Sequence, residues 1–365
     1  MIIGIPKEIK TDEFRVGMTP SGVLELIKAG HNVLIEQNAG VGSGFEDRLY
    51  SDAGAIILNT ADDIYAGADM ILKVKEPIEV EYSRLREGQI LFTYLHLAAD
   101  KALTEVLCAK KITALAYETL RLGRRLPLLE PMSEIAGRMA TLFGAVHLGR
   151  YNGGSGQLLG GAVGVERNHV VVLGAGVAGK SAADAAAGLG AKVTMLDINL
   201  ERLTYLRDVM APNVSMLYST HDTIVNSIKD ADLIVGTVLV AGAKAPKLIT
   251  RDMLSLMKKG SVLVDVSIDQ GGCFETSHAT THSHPTFDVD GIVHYCVANM
   301  PGMYPRTSTI ALTNATLSYA LKIASTPLNV LLKDEIYLGA LNTYAGDVTN
   351  EAVAIAHGMT YKAVV

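Results

Sequence analysis

The sequence predicts an α/β protein of two doubly wound domains, the first of them discontinuous. Short runs rich in Val, Ile and Leu alternate with longer segments of helical periodicity, and they do so in two separate series. Composition agrees with this pattern. Hydrophobic residues make up 49% of the 365 but aromatic residues only 5%, with no Trp, so the cores must be built from aliphatic side chains, as in parallel sheets covered on both faces. The length also exceeds what one core usually supports.

In the first series, apolar runs fall at residues 2–5, 32–35, 55–58, 70–74, 90–92 and 113–116, with helical patterns at 20–29, 61–65 and 100–109 between them. This order implies a parallel sheet with crossovers. Residues 131–151 read as one long helix in which Ala136, Gly137, Ala140, Gly144 and Ala145 permit close packing, ended by Gly153-Gly154-Ser155-Gly156. The second series runs through residues 169–173, 192–196, 214–217, 233–238 and 261–266. A last helical pattern at 308–324 has no strands of its own to cover, so it is assigned to the first domain. The expected domains are residues 1–127 with 306–365, and residues 128–305, with the long helices as the hinge region.

A net charge of −6 without any Lys/Arg-rich run provides no cationic field for nucleic acid or anionic lipid, so the expected partner is a small molecule. Cys108, Cys273 and Cys296 are odd in number and widely spaced, which fits a reducing compartment and not a disulfide framework. The chain opens on an apolar strand-like run without the features of a signal peptide, and no uncharged apolar stretch is long enough to span a bilayer. A cytoplasmic location is expected.

The sharpest local motif is Val170-Val171-Val172-Leu173-Gly174-Ala175-Gly176-Val177-Ala178-Gly179, an apolar strand running into Gly-x-Gly-x-x-Gly and an Ala-rich helix. Gly174 allows the tight turn, Gly176 lets a diphosphate approach the backbone, and Gly179 lets helix pack on strand. The next strand ends in Asp197, near the spacing expected for a carboxylate that binds ribose hydroxyls and repels a 2′-phosphate, so NAD is expected over NADP. Asp197 can also be read as a surface cap on the helix beginning near Leu200. Arg202 suits either a ribose edge or a phosphate. Gly40-Val41-Gly42-Ser43-Gly44 lacks both the spacing and the acidic strand end, and reads as a flexible loop. His282 and His284, with His278 and His294 nearby, have no acidic or Cys partner at metal-binding spacing and read as a solvated loop; no metal is expected.

Hydride transfer from an amino acid needs a cation for the carboxylate, an acid/base for amine and water protons, and a carboxylate to support iminium charge. Lys75 and His96 fall just after strand runs, where ligands gather in open parallel sheets. Arg15 sits between apolar neighbours after the first strand, and the run at 262–268 ends in Asp269-Gln270-Gly271-Gly272, a strand end meeting glycines. Each has an ordinary reading too: Arg15 a solvated loop residue, Lys75 half of a surface pair with Glu76, His96 a satisfied buried histidine, Asp269 a turn cap.

Taken together, Gly4-Ile5-Pro6-Lys7-Glu8, Glu13-Phe14-Arg15-Val16, Leu72-Lys73-Val74-Lys75-Glu76-Pro77, Leu95-His96-Leu97-Ala98, Pro131-Met132-Ser133-Glu134, Asp265-Val266-Ser267-Ile268-Asp269-Gln270-Gly271-Gly272 and Val297-Ala298-Asn299-Met300-Pro301 resemble the alanine dehydrogenase family along the whole chain. The resemblance implies two Rossmann-like domains with the active site in the cleft between them, NAD as cofactor, L-alanine, pyruvate and ammonium as substrates, and a homohexamer. It further implies Arg15 and Lys75 as the substrate-binding pair, His96 as the general acid/base and Asp269 as the second catalytic residue. Ser133, Val177, Ala178, Asp197, Arg202, Ser219, Val238, Leu239, Val266, Ser267, Ile268, Asp269, Asn299 and Met300 resemble the family's cofactor contacts. His278 departs from the pattern, standing where some relatives carry Arg, and is left out of the site. The NAD-binding subunit of proton-translocating transhydrogenase resembles the same opening motif and domains but has less need of an amino-acid site; a saccharopine-type lysine-forming dehydrogenase is separable by its substrates. A catalytically silent NAD-binding protein would keep Gly174, Gly176, Gly179 and Asp197 yet has no reason to keep Arg15, Lys75, His96 and Asp269.

Overall fold

The computed structural model describes residues 1–238 and 245–364. Its chain divides into two compact units, Met1–Pro131 with Tyr304–Val365, and Met132–Met303. The first unit opens with β1 (Ile2–Ile5), α1 (Pro20–Lys28), β2 (Asn32–Glu36), α2 (Asp47–Asp52), β3 (Ile56–Leu58), α3 (Ala61–Gly67), β4 (Met70–Leu72), α4 (Glu79–Tyr82), β5 (Ile90–Thr93), α5 (Lys101–Ala109) and β6 (Thr113–Ala116). These strands pair in parallel in the order β3-β2-β1-β4-β5-β6. The order reverses between β1 and β4, and in open sheets the carboxyl ends of strands beside such a reversal form the ligand crevice.

The next helix, α6 (Glu130–His147), stops short of the expected end at Tyr151. Gly149 turns into extended backbone (φ −62°, ψ 139°), and the chain folds back so that the Gly156 amide donates to the Leu148 carbonyl at 2.8 Å. The second unit continues with β7 (His169–Leu173), α7 (Val177–Gly188), β8 (Lys192–Asp197), α8 (Leu200–Val209), β9 (Val214–Tyr218), α9 (His221–Lys229), β10 (Leu233–Gly236), β11 (Val262–Asp265), β12 (Thr286–Val289) and β13 (Ile292–Tyr295). Its sheet runs β12-β13-β11-β10-β7-β8-β9, with the reversal between β7 and β10.

One face of this sheet buries Val170, Val172, Val235 and Val264 with Ala182, Ala183 and Ala186 of α7. The other buries Val171, Leu173, Ile234 and Leu263 with Ile224 and Ile228 of α9. Covering both faces explains why these strands read as unbroken apolar runs. β12 and β13 form an antiparallel hairpin absent from the sequence-based expectation, turned by Asp290 and Gly291, both at positive φ (56° and 80°). The hairpin corrects the reading of the histidines as one solvated loop. His294 is fully buried on β13, its ring nitrogens bonded to Thr276 Oγ1 and the Ile292 carbonyl, and His278 stacks on Phe287.

The chain then returns to the first unit as α10 (Pro305–Ser325), α11 (Leu328–Leu331), α12 (Glu335–Ala340), β14 (Leu341–Tyr344), β15 (Asp347–Val348) and α13 (Glu351–His357). β14 adds antiparallel to β6, and β15 to β14, another pairing the sequence reading lacked. The Gly40–Gly44 stretch, expected as a flexible loop, is a pinned 3-10 turn over Val41–Ser43. Ser43 is buried and donates to the Phe14 carbonyl at 3.0 Å, while Arg306 of α10 donates to the Gly44 carbonyl at 2.9 Å. No helix among the described residues is long and apolar enough to cross a membrane.

Candidate functional site

In the second unit, the turn from β7 into α7 leaves no room for a side chain at Gly179 and needs a positive φ at Gly174. Gly174 sits at φ +103°, and a Cβ on Gly179 would lie 1.9 Å from the Gly174 carbonyl oxygen. A Cβ on Gly176 would meet nothing within 4 Å. That clearance lies at the N-cap of α7, where no side chain caps the first turn and the helix dipole favours an anion. A diphosphate fits these amides. Thr237, just past β10, donates its hydroxyl to the Leu173 and Gly174 carbonyls at 2.9 and 3.1 Å, tying the two strands of the reversal together.

Asp197 ends β8 half-buried. Its Oδ2 accepts from the Ala175 amide at 2.6 Å and its Oδ1 from the Asn199 amide at 2.8 Å. The cap of α8 is Asn199, so Asp197 braces the glycine turn instead of capping that helix. Arg202 donates from Nε to the Ala175 carbonyl at 2.8 Å with its guanidinium over the Tyr205 ring, so Ala175 is held from both ends of its peptide. The Ser219 amide donates to the Asp197 carbonyl at 3.0 Å. Val177 and Ala178 occupy the first turn of α7, half-buried. α6, which carries half-buried Ser133, presses against that turn: a Cβ on Gly137 would lie 2.1 Å from the Ala178 carbonyl oxygen. Leu239 lies outside the described residues.

Past β11 the chain makes a 3-10 turn over Ile268–Gln270 that exposes Asp269, while Ser267 and Ile268 are buried and Val266 is half-buried. Two residues hold this turn. Buried Asp265 accepts from the Ser267 and Cys273 amides at 3.1 and 2.9 Å and from the Ser277 hydroxyl at 2.7 Å. Burial pushes its carboxyl above the ordinary value, and these hydrogen bonds oppose the rise. From the other side, Lys247 Nζ donates to the Gly271, Gly272 and Phe274 carbonyls at 2.5, 2.9 and 3.1 Å. The Val238 carbonyl accepts from Ser267 Oγ at 2.8 Å. Asn299 turns the chain at φ +56°, and the Met300 side chain is buried in the core, leaving its backbone as the part able to meet a ligand.

In the first unit, the carboxyl ends of neighbouring β1, β4 and β5 gather the charged groups. Lys73 is fully buried, paired with Glu8 at 3.1 Å and Glu81 at 3.0 Å. Burial opposes its charge, but Glu8, Tyr65 and Glu81 outweigh it and hold the ammonium well above the usual lysine range. Removing one partner from such a set strands a buried charge, at a cost of roughly 3–5 kcal/mol. Glu8 Oε1 also accepts from the Val74 and Lys75 amides at 2.6 and 3.4 Å, and Thr93 donates its hydroxyl to the Lys75 carbonyl at 3.0 Å. The backbone of half-buried Lys75 is therefore gripped from both sides. Its neighbour Glu76 pairs with Lys10.

Arg15 is no solvated loop residue. It is 2% exposed and donates from Nε and a second nitrogen to the two carboxylate oxygens of Glu13. Burial works against its charge, but Glu13 outweighs it and raises the guanidinium above its ordinary value. His96 is not buried: its ring is exposed and stacks on Tyr94, centroids 5.9 Å apart and planes 7° apart. Burial pushes the Tyr94 phenol up and the neighbouring Arg15 charge opposes this, so Arg15 lies near the ring on which His96 stacks. The His96 backbone is left-handed (φ +50°), and its amide donates to Glu118 at 2.6 Å.

Such an arrangement offers a fixed cation, a second cation and an exposed imidazole at one sheet edge of the first unit, and an anion-binding helix terminus with an exposed carboxylate in the second. Sequence reasoning missed Glu8, Glu13, Lys73, Glu81, Glu118, Asp265 and Lys247. One signal was available, since a lysine embedded in Leu72-Lys73-Val74, inside a run read as a buried strand, demands buried partners. Among the described residues, no group of three or more His, Cys, Asp and Glu is placed to hold a metal.

Comparison with known proteins gives concordant matches. A family model described as "Alanine dehydrogenase/PNT, N-terminal domain" matches residues 4–136, and one described as "Alanine dehydrogenase/PNT, C-terminal domain" matches residues 140–351. An alanine dehydrogenase of Methanococcus maripaludis is 53% identical over 364 residues, covering 99% of this chain and 98% of that protein. A solved L-alanine dehydrogenase superposes with a TM-score of 0.94 at 49% identity, covering 98% and 99% of the two chains. A transhydrogenase structure from Sinorhizobium meliloti superposes with a TM-score of 0.83 at 26% identity, covering 96% and 100%.

Proposed function

The chain belongs to the alanine dehydrogenase/PNT family, and on that premise we propose that Arg15, Lys75, His96 and Asp269 carry its reaction, the NAD-dependent oxidative deamination of L-alanine to pyruvate and ammonium and the reverse. NAD, held at the first turn of α7 and by Asp197, would supply the acceptor for the hydride that leaves the alanine Cα. Arg15 and Lys75 hold the substrate carboxylate, the first with a planar fork and the second with a point charge. His96 takes the proton from the water that adds to the substrate iminium and returns one to the departing amine. Asp269 supports the iminium charge. The clearance at Gly176, the uncapped first turn of α7 and Asp197 at the end of β8 fit NAD, so the second unit is assigned as the NAD-binding domain and the first as the substrate domain.

One observation carries the assignment in the first unit: three of the four residues are each fixed by a carboxylate, Arg15 by Glu13, the Lys75 backbone by Glu8 and the His96 backbone by Glu118. NADH oxidation by the purified chain tests it. Pyruvate with ammonium should support oxidation, and lysine with 2-oxoglutarate should not; the opposite pattern overturns the reading. Arg15→Lys should raise the pyruvate KM in that assay, and the alanine KM in NAD reduction with alanine, by about tenfold or more, because a point charge loses the bidentate geometry. Lysine is the better probe than alanine here, since Arg15→Ala would leave the Glu13 charge buried and unpaired. An unchanged KM would remove Arg15 from the clamp.

Asp197→Ala should weaken NAD binding and narrow its advantage over NADP by about tenfold. Because this carboxylate also braces the Ala175 amide, part of the loss falls on both cofactors, and the NAD-to-NADP ratio is the quantity that decides. Equal use of the two by the unaltered protein would sink the assignment. We further propose a cytoplasmic homohexamer, supported by the family resemblance and by fully exposed apolar side chains such as Tyr151 and Val163 on the single chain. Sedimentation velocity decides it: one species near six chain masses supports a hexamer, and a smaller one excludes it.

A further inference from the structure

His96 holds a left-handed backbone (φ +50°, ψ 35°) without being glycine or lying in a hairpin turn. A side chain in that region persists only where its surroundings over-determine the geometry, and such strain concentrates at functional sites. Hydrogen bonds from both sides hold the backbone around it. Glu118 accepts from the Leu95 and His96 amides on one side. On the other, the Leu97 carbonyl accepts from His357 Nε2 at 2.6 Å, across 260 residues of sequence. A carbonyl only accepts, so the His357 ring carries its hydrogen on Nε2.

His357 is itself well anchored. It is the last residue of α13, whose Asn350 cap accepts from the Ala352 and Val353 amides. Val353 and Ala354 are buried in the same cluster as Leu97, Leu103 and Leu107, and beyond the helix the Lys362 amide donates to the Val348 carbonyl on β15. The helix is thus fixed at its cap, along its apolar face and by the segment that follows. The imidazole at its end bonds the peptide joining Leu97 and Ala98, one residue beyond His96, where the Leu97 carbonyl also accepts from the Asp100 amide at 3.0 Å.

We propose that His357 is a positioning residue for His96: it locks the Leu97 peptide so that the His96 ring keeps one orientation, and it touches neither substrate nor cofactor. The inference rests on the reading of His96 as the acid/base. His357→Phe, which keeps a ring and removes the donor, should lower kcat by about tenfold, since a small misplacement of a reacting group is felt chiefly in the chemical step. The KM for pyruvate and the Kd for NADH should stay within about twofold, because neither ligand loses a contact. His357→Gln, whose amide restores a donor, should recover most of the rate, and the melting temperature of both variants checks that α13 remains docked.

A double-mutant cycle separates positioning from simple support. If His357 acts only through His96, adding His357→Phe to His96→Ala should slow turnover no further. An additive loss, or equal losses in the Phe and Gln variants together with a lowered melting temperature, overturns the proposal. So does an unchanged kcat in folded His357→Phe while His96→Ala is inactive, and in that case the reading of His96 stands. Near-normal turnover in His96→Ala overturns both.

Discussion

Replacing His96 with alanine is expected to lower turnover in both directions by about 100-fold or more while NADH still binds. Once hydride has left the alanine Cα, the substrate carries a cationic iminium. Water must add to that carbon and lose a proton, and the amine must gain one before it departs. One group serves both transfers if it changes protonation readily near neutral pH, and imidazole is the side chain that does. The structure meets the remaining requirement, since the ring is exposed, stacked on Tyr94 and set by a backbone tied to Glu118. Truncation to alanine keeps those backbone bonds, so the loss should appear chiefly in rate, and a melting temperature reads any cost of placing alanine in the left-handed region. Steady-state rates in both directions, with fluorescence titration of NADH, provide the check. Near-normal turnover would take His96 out of the proton path.

The legible parts of the fold were those written in local sequence. Unbroken apolar runs marked the strands because both faces of each sheet are covered, and the glycine spacing at Gly174, Gly176 and Gly179 marked a turn where a side chain at Gly179 would strike backbone. Asp290-Gly291 between alternating residues was an equally local hairpin signal that the helix-and-strand alternation obscured. The turn at Ala345-Gly346 was harder to read, because Ala345 adopts positive φ (52°) without belonging to the residue types that favour it. Around the candidate site the difficulty is of another kind. Glu8 reaches Lys73 across 65 residues, Glu118 reaches His96 across 22 and His357 reaches Leu97 across 260, and a carboxylate or imidazole looks the same in sequence whether it is solvated or clamping a peptide. The charged groups proposed to meet ligands stand near strand ends and can be guessed from topology. Those that hold them in place become visible only when the chain is folded.

Asp269→Asn is expected to cost about 100-fold or more in kcat, with NADH affinity retained. The substitution keeps the size and shape of the side chain and removes its negative charge, so it isolates electrostatics from packing. Its surroundings favour a clean result. Asp269 is exposed, and the turn that carries it is held by the Asp265 carboxylate and the Lys247 ammonium, neither of which depends on the Asp269 side chain. An amide in that place presents a dipole where the iminium needs a full opposing charge. The deficit should therefore appear in both directions, since amination and deamination pass through the same iminium. It should fall on kcat more than on the KM for pyruvate, since the proposed clamp on the pyruvate carboxylate, Arg15 and Lys75, is left intact. If Asp269→Asn instead lost NADH binding at unchanged turnover, the carboxylate would be a cofactor ligand, and stabilisation of the iminium would have to come from another group.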